Sequence, residues 1–338
     1  MTNVYFNGNV ITMEDEKCSA FAVEGEKFAM SGSDEDVIGR YPDAIKTDLK
    51  GKTVLPAFFE THMHILSLGM LLKDINHNDC TSIEELIEIS RKYIEDNRVP
   101  AGKWVRGRGW NQDKFKDEAR FITRYDLDRI SKEHPLCFVR TCGHVIVTNS
   151  KGLEMIGMEE IAPDIEGGQI DLDENGKPLG IFRERARACI LDAIPEKEVE
   201  EIKELILLAQ EEALSCGIVE IHSDDFKDVP TNYKKVIQAY RELVEEDRLK
   251  IRVYEQCNLP SVEKIQDFLD NGYHTGWNLG DGLFTLGPLK LLSDGALGAR
   301  TAYLNAPYSD SPQQRGMLLF ESDDLKAMVK KCHEAGMQ

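Results

Sequence analysis

Val54-Leu-Pro-Ala-Phe-Phe-Glu-Thr-His62-Met-His64 is the stretch on which the reading of this chain turns. It reads as a buried apolar strand that opens directly onto a His-x-His pair. Side chains at i and i+2 of a strand leave the same face, so His62 and His64 can set two imidazoles on one metal ion. A bare His-x-His is equally at home at an ordinary strand end. The surroundings favour a site: Leu55-Pro56 interrupts whatever precedes, two Phe follow, and Glu60 is spaced to accept the second ring N–H of a ligand histidine. Imidazole suits zinc, nickel, iron or manganese, and a catalytic zinc usually takes three protein ligands and leaves a position for water. At least one more ligand is therefore expected from elsewhere.

Three further segments follow in order: Trp104-Val-Arg-Gly-Arg-Gly-Trp110, the run from Cys142-Gly-His144 through Asn149-Ser150, and Lys290-Leu-Leu-Ser-Asp294-Gly-Ala-Leu-Gly-Ala-Arg300. With these, the chain resembles the amidohydrolase superfamily of metal-dependent hydrolases. The branch is the amidohydrolase 3 group around N-substituted formamide deformylase. It departs from the usual pattern in carrying Ala57 where Gly is commoner and Glu60 where Asp is commoner. The resemblance implies an α/β fold, a TIM-type (β/α)8 barrel with a small β-sandwich. It also implies a divalent metal, zinc by default, as one or two ions, and a small-molecule substrate. The implied reaction is hydrolysis of a non-peptide carbon–nitrogen bond by metal-activated water. In the superfamily a lysine on the fourth barrel strand reacts with CO2, and its carbamate bridges two metals; Lys290 is the matching residue. Two more histidine ligands and a proton-shuttling aspartate would follow after Gln338, so no catalytic proton carrier is assigned.

Composition narrows the alternatives. At 338 residues and 41% apolar content the chain suits one large α/β domain with an accessory part. Its net charge of −19 argues against nucleic acid or an anionic membrane as partner. No stretch approaches the roughly 20 apolar residues of a bilayer span, and a cytoplasmic enzyme is the expectation. The eight cysteines are scattered without a C-x-x-C, which indicates neither a zinc ribbon nor a disulfide scaffold.

Along the chain, residues 1–53 read as short strands (4–6, 10–12, 20–23, 27–30), the N-terminal part of a small β-sandwich. Residues 54–338 read as a partial barrel. After the metal strand a capping box at Ser82-Ile-Glu-Glu85 starts a helix, and an irregular α+β insertion covers about 99–195. Within it Asp171–Gly180 reads as a hairpin around Asn175-Gly176. The same residues imitate the start of a calcium loop, but the position requiring a bidentate Glu is Phe182. From Pro195 helices and strands alternate, with strands at 218–222, 249–254 and 288–292. Such alternation marks parallel βα units. Strands at 54, 218, 249 and 288 make four, and half a barrel leaves edges bare. The chain is thus expected to be truncated after strand 4 of a longer protein, or to self-associate with another copy.

By this count Lys290 falls on strand four. It joins His62 and His64 as an expected metal ligand; a snorkelling or salt-bridged lysine is the alternative. Substrate contacts are expected from His144, Glu184, His222, Asp294 and Arg300, with Glu184 as an alternative metal carboxylate if Lys290 is unmodified. A turn-forming role for Asp294 and a structural one for His144 stand beside this. For the chain as a whole, two alternatives to a carbon–nitrogen hydrolase remain. One is a non-catalytic N-terminal fragment that needs another chain; the other is a deaminase or esterase on the same scaffold, since substrate choice lies in the mouth loops.

Overall fold

The computed structural model describes residues 1–14, 17–116, 118–165, 167–226, 230–297 and 300–338. Gly298 and Ala299 of the Lys290–Arg300 segment lie outside them. The chain forms two compact units: residues 1–60 with 214–220, and residues 61–213 with 221–338.

In the first unit, alternation of apolar side chains yields β1 (Thr2–Phe6), β2 (Ala20–Glu24), β3 (Lys27–Gly32) and β4 (Ile45–Asp48) in a sheet of order β3-β2-β1-β4. β1 runs antiparallel to β2 and parallel to β4. Helix α1 (Asp34–Arg40) is capped by Ser33, whose hydroxyl accepts from Asp36 N–H at 3.1 Å. Val37 from α1 joins Val4, Ala20 and Ala22 in the core. The expected strand at 10–12 is only Asn9–Val10, paired with Thr53–Val54.

The His-x-His strand is shorter and less buried than its sequence suggests. It starts at Phe58, and β5 (Phe58–Met63) is an outer strand of its sheet, with Phe58 and Phe59 52% and 58% exposed. An outer strand has a neighbour on one side only, so its apolar residues are less covered. Directly after it comes helix α2 (Ile65–Lys73), too short for periodicity to reveal.

A six-stranded sheet fills the middle of the chain. Its order is β10 (Gly168–Leu172), β11 (Pro178–Glu184), β9 (Val145–Val147), β8 (Leu136–Arg140), β7 (Val105–Trp110) and β6 (Ile75–Asn76). It is buried on both faces. Leu136, Phe138, Val145 and Val147 join Trp110 and helix α3 (Ile83–Asp96) in one core, while Cys137 and Ile146 join Phe182 and Ile190 in another. The period-2 switch of successive residues between faces builds both cores from the same strands. The Asn175-Gly176 hairpin forms as read: Gly176 has φ 80°, and Asp173 accepts from Asn175 and Lys177 N–H at 2.8 and 2.9 Å.

The regular C-terminal half supplies α4 (Val199–Ser215), β12 (Ile218–Ser223), α5 (Tyr233–Glu245), β13 (Arg252–Asn258), α6 (Val262–Asp270), β14 (Asn278–Leu279), β15 (Phe284–Lys290) and α7 (Ser322–Glu334). Helix α4 starts four residues after Pro195, because Glu201 reaches back to Glu198 N–H at 3.1 Å and fixes the start there. The five-stranded sheet has the order β14-β15-β13-β12-β5, so the four expected strands lie side by side in chain order. β13 and β15 are parallel; short β14 adds an antiparallel neighbour to β15. β15 extends to Phe284 through Gly287-Pro288, which the sequence reading treats as a boundary. A register irregularity between Glu255 and Cys257 faces that dipeptide, and a bulge is where a sheet tolerates a residue lacking N–H.

Helix α2 sits tightly on α4. A Cβ added at Gly69 would lie 2.8 Å from the Leu205 carbonyl carbon and 2.9 Å from its Cα. Helix propensity favours alanine by only ~1 kcal/mol, whereas overpacking against immovable backbone costs ~1–3 kcal/mol. Gly69→Ala is therefore expected to lower the urea midpoint; an unchanged midpoint would show that α2 can shift away from α4.

Candidate metal centre

His62 on β5 and His64, one residue past the end of that strand, come together. Their ring centroids are 5.5 Å apart with the planes at 83°. His64 is the residue before α2, so its position depends on how that helix starts. The first N–H groups of a helix have no partner within it, and His64 makes no side-chain cap. The last residue of β12 and the loop after it provide the missing acceptors: Ser223 Oγ takes Ile65 N–H at 2.9 Å and Asp225 Oδ1 takes Leu66 N–H at 3.0 Å. Between these two, Asp224 donates its N–H to the Met63 carbonyl at 3.2 Å.

The Asp224 carbonyl lies 2.8 Å from His64 Nδ1. A carbonyl only accepts, so Nδ1 carries the ring proton and Nε2 is the lone-pair nitrogen of neutral His64. That is the tautomer of a metal-ligating histidine held by an outer-shell acceptor. The chemistry of this donor pair fits a divalent metal. Among the described residues, no group of three or more His, Cys, Asp or Glu side chains converges to hold one.

Lys290 enters the same place by a different route. In the β13–β15 ladder it is the register partner of Asn258. Both side chains reach Asp224 Oδ2, Lys290 Nζ at 3.0 Å and Asn258 Nδ2 at 3.1 Å. Asp224 is 1% exposed, and its other oxygen, Oδ1, is buried with no hydrogen-bond partner among the described residues. As an ammonium paired with a carboxylate, Lys290 has no lone pair to offer a metal. His64 and Lys290 are thus joined through one residue, Asp224, that the sequence reading passed over.

Behind Asp224 lies a second carboxylate layer. Asp225 N–H donates to Glu255 Oε1 at 2.8 Å, and Tyr240 Oη donates to Asp225 Oδ2 at 3.3 Å. Burial pushes the Asp225 carboxyl up to about 6, against the opposing hydrogen bonds from Leu66, Ser223, Glu255 and Tyr240. Burial raises Glu255 well above the carboxylate range, and the neighbouring Asp225 and Asp224 push it the same way. Of the two, Glu255 is the one that keeps its proton.

The remaining sequence candidates are dispersed. His144 Nδ1 and Glu184 Oε2 meet at 3.0 Å on the six-stranded sheet, both half exposed. Glu184 holds a left-handed φ of 50° with ψ −122°, a conformation that costs a non-glycine residue ~1–3 kcal/mol and concentrates at functional positions. His222 packs on the Tyr254 ring, with centroids 4.9 Å apart. Asp294 accepts from Tyr303 N–H at 2.9 Å, and Arg300 pairs with Asp310.

Residues 47–338 match the model of the amidohydrolase family. The chain belongs to that family. It is 27% identical over 345 residues to the putative amidohydrolase YtcJ of Bacillus subtilis (strain 168), covering 100% of this chain and 62% of that protein. It is 30% identical over 224 residues to N-substituted formamide deformylase of Arthrobacter pascens, covering 63% of this chain and 40% of that one. Among solved structures, it superposes on an uncharacterized metal-dependent hydrolase from Pyrococcus furiosus with a TM-score of 0.79 and 30% identity. That match covers 100% of this chain and 66% of the other. The amidohydrolase chain described here thus has the family's mixed α/β fold and spans about three fifths of the length of its first relatives. No helix among its described residues is long and apolar enough to cross a membrane.

Proposed function

We propose that this chain carries part of the active site of a metal-dependent hydrolase acting on a non-peptide carbon–nitrogen bond. The observation that carries the reading is the paired imidazoles of His62 and His64, with His64 held by the Asp224 carbonyl in the tautomer that leaves Nε2 for a metal. Zinc is the metal to expect on imidazole ligation. Such an ion, when bound, polarises a carbonyl oxygen and makes water nucleophilic near neutral pH.

The chain's own residues prepare the site. Ser223 and Asp225 hold the start of α2 and so aim His64. Asp224 holds Lys290 as a counter-charge; carboxylation of Lys290 would turn that attraction into repulsion and release it as an anionic ligand beside His62 and His64. His144, Glu184 and His222 are the substrate-side candidates. Asp294 and Arg300 order their own loop through Tyr303 and Asp310. The deformylase relative makes N-substituted formamides the substrates to assay first.

A second reading has its own support. With no third His, Cys, Asp or Glu joining the histidine pair among the described residues, this chain by itself would hold metal weakly and act only with further ligands.

The test is zinc binding by calorimetry, with metal content after dialysis. His62→Ala and His64→Ala should each weaken binding by more than the ~10–100-fold that loss of an outer-shell partner costs. Zinc bound by both variants as tightly as by the wild type would overturn the assignment.

A further inference from the structure

Beside the Asp224 site lies a cavity of about 740 Å³. Asn258, which donates to Asp224, lines it, as does Ser67 of α2, so one end of the cavity adjoins the candidate metal centre. Its walls are partly apolar, with Leu71, Val139 and Ile146.

The charges of the lining are unbalanced. Four basic residues, Arg106, Arg108, Arg187 and Lys264, face three acidic ones, Asp74, Asp192 and Glu196. Two of the acids are already engaged: Asp74 pairs with Arg106 at 3.3 Å, and Glu196 with Lys235 at 3.4 Å. Asp192 is left against Arg108, Arg187 and Lys264. This is a cationic cavity in a chain of net charge −19.

The guanidiniums are also placed to bind. Arg106 and Arg108 are two apart on β7 and share a face. Arg106 Nε is buried with no acceptor among the described residues. Arg108 Nε donates to the Leu71 carbonyl at 3.4 Å, and Arg187 Nε to the Glu184 carbonyl at 3.0 Å. Arg187 Nη1 also donates to the Gly143 carbonyl. Main-chain carbonyls thus anchor both arginines without neutralising them, and a guanidinium has five donors, so further N–H groups remain for a carboxylate.

We propose that this cavity binds the carboxylate of an anionic N-acyl substrate through Arg106, Arg108 and Arg187, with the amide directed toward the Asn258 end. The substrate class rests on the hydrolase reading above; the anion site does not.

Binding of N-acetylglycine, of its neutral counterpart N-methylacetamide and of acetate to the 338-residue chain, followed by calorimetry at low ionic strength, tests this. N-acetylglycine should bind about tenfold or more tighter than either. Arg108→Gln should abolish the advantage over N-methylacetamide. Arg106→Gln would strip the partly buried Asp74 of its partner, so Arg187→Gln serves as the second variant, with circular dichroism to verify folding. Equal binding of the amide and N-acetylglycine, or affinity unchanged in both folded variants, would overturn the proposal. So would acetate binding as tightly as N-acetylglycine, which would make the cavity a simple anion site. Zinc binding is read separately. Loss of the anion preference with zinc binding intact refutes this inference alone, and the converse refutes the metal reading alone.

Discussion

Replacing Asp224 by alanine is expected to lower the unfolding free energy by ~3–5 kcal/mol, the cost of removing one partner of a buried ion pair. The side chains of Lys290 and Asp224 are 14% and 2% exposed, so water cannot restore what Lys290 loses. Asn258 loses its acceptor as well. The main-chain bonds of residue 224 to Met63 and His64 do not depend on its side chain and survive. Asp224→Asn keeps the shape and an acceptor oxygen, and should cost less than half as much. Urea titrations followed by circular dichroism measure both. The sign of the alanine effect also reports the state of Lys290. If Lys290 carries a carbamate in solution, Asp224 faces another anion, and its removal should stabilise the protein.

What the sequence made legible follows from which signals are local. The strand period suggested that His62 and His64 meet, although the strand ends at Met63 and the start of α2 places His64; the helices over 232–246 and 261–270 follow from Asn232 and Ser261, which cap them. Lys290 could be placed at a strand end by counting βα units. Asp224, Asp225 and Glu255 were missed because their roles are non-local: each acts on a backbone or side-chain group about 30 or more residues away. A signal was nevertheless present. Ser223-Asp224-Asp225 follows immediately on a strand, and Glu255 sits between Val253 and Cys257 on the buried face of β13. A carboxylate on an inward strand position has to be paid for by a partner. Phe58 and Phe59 misled in the opposite direction, since apolar character shows which residues favour burial and not which strand lies at the side of its sheet. The cationic cavity was illegible in a sequence with 60 acidic residues against 41 basic ones; only folding gathers Arg106, Arg108 and Arg187.

The second large effect expected is on acid stability: between about pH 6.5 and pH 3 the wild-type chain should lose stability that a His77→Leu variant retains. His77 is fully buried, with its ring against Phe138 at 4.7 Å between centroids. Ser90 Oγ donates to the Leu86 carbonyl at 2.7 Å, so its contact with His77 Nε2 at 2.9 Å is one it accepts. Nε2 therefore holds the ring proton, and Nδ1 is a buried lone-pair nitrogen with no hydrogen-bond partner among the described residues. A second proton would place a charge there without solvent, and burial pushes the pKa of His77 down to about 3. In the unfolded chain the same ring protonates near 6.5. Across that window the unfolded state holds one more proton, so stability falls with pH by up to ~1.4 kcal/mol per pH unit. Above pH 6.5 the ring is neutral in both states and contributes no slope. Asp225 works in the opposite direction. Its folded value, about 6, lies above the ordinary 3.8, so its contribution is present below the unfolded value and lost as pH rises through about 6. Where the two windows overlap they partly cancel in the wild-type profile, and the difference between wild type and His77→Leu isolates the histidine. That difference should widen by roughly 3 kcal/mol from pH 7 to pH 4. A constant difference would show that the buried ring finds an acceptor for its second proton.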